Sequence, residues 1–562
     1  MRDSRDLSSG FGSADWLRLL AVFALFCAAT AILFAPLLPH LGSALIGPPE
    51  DNLQDFWNSW YAAAAPKPHG FFFTDLIRYP DGMKLTYHSF AYPQVFAVAA
   101  LATIAGTDMG TLLLLHNLTL LLSFPLAGLG AYLVVRRFTN SEAGALAGGF
   151  VFAFNPSHVA HAMHHAHVTS IEFIPFFVFA YLTALEKRSF AWLGAAIVFW
   201  ALSALSSWYY LFYLGYFVVF HTLYVCARDR ALPGGWRLYG PLASAVGTVL
   251  LLSPLLVQML SEHGNPAIYT NGANEYVADP VALFVFPPTH FLGGWTKHVY
   301  RHLSGNAWEA AVYLGLANLA AIALYRLRAR RAKDPPFSYA LWGMAVFLVI
   351  AAGDHLHVLG REIAFMPLPS ALLSKLPFFA DVRTPSRAIV MVYLFLSIAV
   401  GQAFAFFRQA PPNTLIRWAG GACAVLMVLD FYPAHLKTTP LSCSAGLSFL
   451  RGDADRDFGV LDLPGGYVES NYYMATQPCH GHPIAQGNVA RQLYPTLADK
   501  LEMGDLDKQK QELRNAKIKY IVIHKPKRRL FHWPDKGADK ASYAAAYAAA
   551  YDDGDVTVLR VY

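Results

Sequence analysis

The stretch Tyr92-Pro93-Gln94-Val95-Phe96-Ala97-Val98-Ala99-Ala100-Leu101-Ala102-Thr103-Ile104-Ala105-Gly106-Thr107 decides how the chain is threaded. It is apolar, yet short of the about 20 residues that a helix needs to cross a bilayer. If it spanned, Arg136-Arg137 would face outward and every later basic cluster would be inverted. If it lies along the surface, with the N-terminus inside, the basic clusters all fall in the cytoplasm. These are Arg136-Arg137, Lys187-Arg188, Arg228/Arg230/Arg237, Arg326/Arg328/Arg330/Arg331/Lys333 and Arg408/Arg417. Short cytoplasmic loops carry an excess of Lys and Arg, so the surface reading is selected, with the C-terminus outside.

Composition agrees with a membrane setting. The 562 residues are 55% hydrophobic and 14% charged, against about 25% charged in an ordinary soluble domain. Soluble domains cut from such a chain would lack a solvated surface, which disfavours a soluble multidomain enzyme, a fibrous protein and a disordered chain. The formal charge of +6 is modest, and no nucleic-acid-binding pattern is present, so no nucleic-acid partner is expected.

Apolar stretches predict about 11 spans: 16–38, 110–135, 141–156, 168–185, 190–206, 208–227, 239–260, 306–325, 336–353, 387–407 and 413–432. The first follows a charged start (Arg2, Asp3, Arg5, Asp6) and reads as an uncleaved helix, since no small-residue cleavage site follows it. The long loops 39–109, 261–305 and 354–386 then face outward, with the tail from about 433. The Gly-rich run Gly144–Gly149 lies in a span and reads as helix packing.

The tail has another character. Gly459–Pro464 and Lys519–His524 read as short buried strands, Leu501–Lys517 as a helix and Val556–Val561 as a final strand. Tyr543, Tyr547 and Tyr551 are spaced as one helix face. The fold class expected is therefore mainly α: a polytopic transmembrane helical bundle, residues 1–432 with the first outer loop 39–109, followed by a small extracytoplasmic α/β domain, 433–562. Of five cysteines, Cys27, Cys226 and Cys423 read as small core residues, whereas Cys443 and Cys479 can pair if the tail is outside.

The first outer loop opens with Glu50-Asp51-Asn52-Leu53-Gln54-Asp55-Phe56-Trp57-Asn58-Ser59-Trp60-Tyr61. Asp51 and Asp55, four residues apart, share one helix face. Trp57 and Trp60 suit a lipid–water interface, which predicts a helix lying on the outer membrane surface. Tyr87-His88-Ser89 follows as a polar knot. A carboxylate in such a place is more often a helix cap or a solvated side chain than a catalyst.

An N-terminal helix, a long outer loop with an early acidic residue, a surface-lying apolar segment and a helix ending in Arg-Arg together resemble the GT-C superfamily of membrane glycosyltransferases, which includes the protein O-mannosyltransferases and the aminoarabinose transferase of lipid A. Gly128–Ser141, Ala147–Pro156, Leu376–Arg387, Val460–Pro464, Gly481-His482-Pro483 and Tyr520–His524 are most similar to its bacterial YfhO-like branch. The resemblance covers most of the chain in layout, through short and loosely specified motifs.

The resemblance implies an inverting glycosyltransferase, moving a hexosyl or pentosyl group from a polyprenyl-phosphate sugar donor to an acceptor hydroxyl on the outer face of the cytoplasmic membrane, in cell-envelope glycan biosynthesis. Glycan, lipid and protein acceptors stay open. An acidic residue of the first outer loop would be the general base. Asp51 fits that position, with Asp55 in reserve. The leaving lipid phosphate needs cationic donors, and Arg383 and Arg387 are assigned to it. Membrane headgroups or a salt bridge to Asp381 are the alternative uses of these arginines.

His158-Val-Ala-His161-Ala-Met-His164-His165-Ala-His167 is the second feature. On one continuous helix, His158, His161 and His165 would share a face. They can line the donor and acceptor cavity, sit at the interface without a role, or bind a divalent metal through His161 and His165. Some GT-C enzymes use a metal and others do not, so no cofactor is certain. Gln54, Trp57, His88, Glu172 and Trp208 complete the expected cavity lining. Glu309 and Asp354 read as polar contacts or caps. The rival functions are a transporter or flippase for a lipid-linked saccharide, and a non-catalytic envelope assembly protein. A transporter should show duplicated halves and deep charges, which the spans do not.

Overall fold

Helices dominate because the apolar runs are long and their polar punctuation falls at helix ends. The computed structural model describes residues 13–262, 275–329, 334–373, 375, 382–490, 495–501, 505–524 and 540–562. The charged start, Arg330, Arg331, Lys333 and Asp381 lie outside the described residues. In chain order the main elements include α1 (Ser13–Leu33), β1 (Ala44–Ile46), α2 (Asp51–Ala63), α3 (Tyr92–Ala105), α4 (Met109–Thr139), α5 (Glu142–Ala153), α6 (Pro156–His164), α7 (Ala166–Thr169), α8 (Phe173–Lys187), α9 (Phe190–Ser206), α10 (Trp208–Asp229) and α11 (Trp236–Ser261). Then come α12 (Leu316–Arg328), α13 (Pro335–Ala351), α14 (Ile389–Gln409), α15 (Leu415–Asp430), β2 (Thr438–Pro440), β3 (Gly459–Leu463), α16 (Tyr467–Thr476), α17 (Leu506–Asn515), β4 (Ile518–His524), α18 (Lys540–Ala546), β5 (Ala548–Asp552) and β6 (Val556–Arg560).

Six described helices are long and apolar enough to cross a membrane: Asp15–Leu33, Met109–Thr139, Ala166–Lys187, Trp208–Asp229, Trp236–Ser261 and Pro385–Gln409. Tyr92–Ala105, Phe190–Ser206 and Pro335–Ala351 are apolar but shorter. The chain is a multi-pass membrane protein. Two stretches expected to span are cut short by caps. The Asn155 side chain accepts from the His158 N–H at 2.9 Å and starts α6, which ends α5 at Ala153. In 306–325 the helix starts at Leu316, after Gly315 with φ of 89°; Asn306 Oδ1 caps the Glu309 N–H at 2.9 Å in a turn before it.

The chain folds into two compact units. One comprises Met1–Leu38, Leu120–Pro254 and Thr270–Leu436. Its centre is α14, buried along most of its length and flanked by α5, α13, α12 and α15. Small residues let α5 approach it: a Cβ on Gly144 would lie 2.4 Å from the Gly401 carbonyl oxygen, and one on Gly148 2.7 Å from that of Ser397.

The other unit comprises Pro39–Thr119, Leu255–Tyr269 and Lys437–Tyr562. Here α2 packs on α3 and α16, and β1 pairs antiparallel with β2. A four-stranded sheet has the order β3-β4-β6-β5, parallel between β3 and β4 and antiparallel elsewhere. Leu461, Leu513, Ile521, Ile523, Tyr543 and Leu559 belong to its core. The tyrosine face is not one helix. α18 stops at Ala546 and Tyr551 sits on β5, where it stacks on Phe449 at 5.2 Å; Tyr543 and Tyr547 stack on each other at 5.9 Å. Pairing with β6 outweighs the helical preference of the alanines. Cys443 and Cys479 form a disulfide.

Candidate functional site

In the unit that holds the first loop, α2 begins at Asp51, as a carboxylate favours a helix N-terminus. Asp51 is half-buried, and its Oδ1 accepts from the Tyr467 hydroxyl at 2.8 Å. Asp55, one turn on, is buried. Gln54 is buried and donates to the Asn488 carbonyl. The tryptophans do not face lipid, contrary to the interface reading. Trp57 is fully buried and Trp60 nearly so; the Trp57 indole N–H donates to Gln477 Oε1 at 2.7 Å, and its ring stacks on Tyr61 at 4.9 Å. A buried indole finds a partner or forfeits a hydrogen bond, and here the turn after α16 supplies one.

His88 belongs to the same cluster. Its Nε2–H donates to Asn58 Oδ1 at 2.7 Å, and its Nδ1 accepts from the Ala490 N–H at 3.4 Å. Thus Asp51, Gln54, Asp55, Trp57 and His88 are brought together on and around α2, with Tyr467, Asn471, Gln477 and Asn488 from residues about four hundred positions on. The sequence pointed to none of these four.

In the other unit the histidines divide. α6 ends at His164, and His165, with φ of −142°, breaks the helix before α7. The shared face expected of His158, His161 and His165 is therefore absent. His158 Nδ1–H donates to the Ala153 carbonyl at 2.6 Å, and its Nε2 lies 3.0 Å from Ser123 Oγ, which is also 2.8 Å from Glu172 Oε2 and 2.9 Å from the Thr169 carbonyl oxygen. His161 and His165 turn instead to Glu309, each with Nε2 3.6 Å from a carboxylate oxygen.

Glu309 is the centre of this second cluster. The Arg387 guanidinium donates to it through Nε, at 3.0 and 3.3 Å, and through Nη2. The Arg387 charge also sits 4.9 Å from the Tyr209 ring centroid. Trp208 is half-buried at the start of α10, next in sequence to Tyr209. Burial works to raise the Glu309 pKa, but the Arg387 charge overrides it and holds the carboxyl down at about 2. Burial pushes His161 and His165 well below the usual imidazole range, against the opposing pull of Glu309, so both are neutral. His161 Nδ1, Ser386 Oγ and the Trp308 indole nitrogen are buried without hydrogen-bond partners among the described residues.

Arg383 stands apart from Arg387. It is half-exposed, 3.6 Å from Glu275 and 5.4 Å from the Tyr276 ring centroid. Among the described residues no group of three or more His, Cys, Asp or Glu side chains is arranged to hold a metal ion. The carboxylate that His161 and His165 would need as a third ligand is engaged by Arg387. Asp354 accepts from the Leu368 N–H through its main chain. Sequence reads Glu309 only as a polar contact or cap, because the partner that makes it the centre of this cluster lies 78 residues away.

The fold is similar to that of the Archaeoglobus fulgidus oligosaccharyltransferase in the apo form, at 12% identity and a TM-score of 0.52, covering 90% of this chain and 69% of that chain. It is also similar to ArnT from Cupriavidus metallidurans bound to undecaprenyl phosphate, at 12% identity and a TM-score of 0.51, covering 98% and 99% of the two chains. No curated protein matches by sequence. At such identity the likeness is one of fold, and that fold is of the GT-C type. The family model described as "Domain of unknown function (DUF6311)" matches residues 20–432, and the chain belongs to that family.

Proposed function

We propose that the protein is an inverting glycosyltransferase that moves a sugar from a polyprenyl-phosphate donor to an acceptor hydroxyl at the outer face of the cytoplasmic membrane. Asp51 is the general base, with Asp55 in reserve. The acceptor oxygen attacks the anomeric carbon, its proton passes to the carboxylate, and the bond from that carbon to the phosphate oxygen breaks. The leaving lipid phosphate takes up negative charge, which Arg387, aided by Arg383, stabilises. Arg387 is held for this by Glu309, which accepts from its Nε and Nη2. Residues 1–432 carry the chemistry, and 433–562 form an extracytoplasmic α/β domain.

One observation carries this reading. The chain follows the fold of ArnT, whose solved structure holds undecaprenyl phosphate, over nearly its whole length, and its first polar loop opens on a helix bearing two carboxylates one turn apart. The test is sugar transfer in membranes from cells making Asp51→Asn or Asp55→Asn. We expect Asp51→Asn to lower the rate at least a hundredfold, in the range of general-base loss. Normal rates in both variants would overturn the reading.

A further inference from the structure

We propose that the groove between α10 and α13 is a site for one anionic phospholipid, with an acyl chain lying along the groove and the phosphate at Arg228. The inference goes beyond the transfer reaction and does not depend on it.

Two helical stripes build the groove. α10 presents Tyr216, Val219, Leu223 and Ala227, and α13 presents Trp342, Val346 and Ile350. Spacings of three and four residues put each set on one helix face. His221 Nδ1, 3.0 Å from the Tyr339 hydroxyl, ties the two helices together. Phe220 also lines the groove, and its ring centroid is 5.4 Å from those of Tyr339 and of Phe395 on α14. The groove has a volume of about 700 Å³, within the range of about 300–1,000 Å³ that holds small molecules. Val219, Leu223 and Trp342 are 56%, 64% and 62% exposed. The groove therefore opens sideways from α10, one of the helices able to cross a membrane, toward lipid. From Tyr216 to Arg228 the stripe covers about 18 Å at the helical rise per residue. One leaflet's share of the hydrocarbon core is about 15 Å deep, so an extended acyl chain matches the groove in length.

Charge selects the occupant. Among the described residues that line the groove, Arg228 alone is charged, and it stands at the end of α10. Its Nε donates to Asp229 Oδ1 at 2.7 Å and its Nη2 to Oδ2 at 3.3 Å. Arg237 Nη2 lies 2.7 Å from the same carboxylate. Two guanidiniums thus share one carboxylate, and Arg230 is exposed two residues on, so among these groups the excess charge is positive. An apolar trough that ends in positive charge matches a molecule with an apolar chain and an anionic head. A second apolar helix would fill the trough and leave the charge unmet. The donor's leaving phosphate, in the reading above, belongs elsewhere: Tyr209, beside Arg387, is about 28 Å along α10 from Arg228, too far for one headgroup to serve both.

The test uses the full chain in detergent and native mass spectrometry, with phosphatidylglycerol and phosphatidylcholine of the same chains added at equal concentration. Wild type should retain one phosphatidylglycerol at energies that strip phosphatidylcholine. Arg228→Gln should weaken that retention about fivefold, the worth of one basic residue beside an anionic headgroup, and Arg228→Lys should keep most of it. Leu223→Trp, which fills the groove from an exposed position, should abolish retention and leave the thermal midpoint in lipid-free detergent unchanged. The Arg228 side chain is itself half exposed, so its variants decide the matter whatever Leu223→Trp does to the fold. Arg408→Gln, near the end of α14, should change nothing, which separates a site from general charge attraction. Equal retention of the two lipids, wild-type retention in Leu223→Trp, or equal loss in Arg228→Gln and Arg408→Gln overturns the inference. So does displacement of phosphatidylglycerol by equimolar undecaprenyl phosphate, since the groove would then hold the chain of a donor lipid.

Discussion

Arg387 donates from Nε to both carboxylate oxygens of Glu309, at 3.0 and 3.3 Å, and the two residues are 8% and 4% exposed. Breaking a buried pair by removing one partner typically costs about 3–5 kcal/mol, because the other charge stays buried and uncompensated. Arg387→Met should therefore lower the thermal unfolding midpoint sharply. Glu309→Gln combined with Arg387→Met should restore much of the loss, since no charge then remains. Thermal unfolding of the single and double variants in detergent measures the coupling.

The histidines beside that pair give the protein an acid sensitivity of definite sign. His161 and His165 are neutral when folded because burial lowers their pKa values, while unfolded imidazoles titrate near about 6.5. Below that pH the unfolded chain binds more protons, so their contribution is fully present above about 6.5 and is lost as pH falls. Each adds a slope of up to about 1.4 kcal/mol per pH unit. The depressed Glu309 carboxyl, at about 2, adds stability above its ordinary value and loses it only in stronger acid. Stability measured from pH 8 to 5 should fall below pH 6.5, and His165→Asn should flatten that fall. A pH-independent midpoint across this window would contradict the burial of neutral imidazole.

What the sequence could and could not tell follows the range of each interaction. The apolar runs, their basic ends and the strands at 459–463 and 518–524 are local patterns, and the elements form there. Local pattern also predicted one helix through His158–His165 and one through Tyr543–Tyr551; the first breaks at His165 and the second gives way to a strand paired with β6. Trp57 carries an amphipathic ring equally suited to an interface or a core. Its choice of core rests on Gln477, 420 residues distant. Asp51 was legible as a loop-opening carboxylate, but Tyr467, 416 residues away, was not.

Gln477 should matter more than its chemistry suggests. Its side-chain oxygen accepts from Trp57 at 2.7 Å, and its nitrogen donates to the carbonyls of Leu76 and His482 at 2.6 and 2.9 Å. Gln477→Leu leaves buried polar groups without partners, each worth about 1–3 kcal/mol. The variant should lose stability and loosen the helix that carries Asp51. Protease nicking within residues 39–119, compared with wild type at equal temperature, checks it. Gln477→Glu keeps an acceptor for Trp57 but no donor for the two carbonyls, and should be intermediate or worse.

Close helix packing supplies the last test. On α5, a methyl group at Gly144 would lie 2.4 Å from the Gly401 carbonyl oxygen, which is backbone and cannot swing aside. Gly144→Ala should therefore push α5 off α14 and cost about 1–3 kcal/mol, the usual range for overpacking. Gly421, in the middle of α15, has nothing within 4 Å of its would-be Cβ. There alanine should be neutral or stabilise by up to about 1 kcal/mol, since glycine is the poorer helix former. The two substitutions are chemically identical and both lie in apolar helices, so propensity alone predicts the same sign for both. Opposite shifts in unfolding midpoint would show that the approach of α5 to α14, rather than the intrinsic preference of alanine for helix, governs position 144. Equal shifts would mean that the two helices are not so closely packed in the membrane.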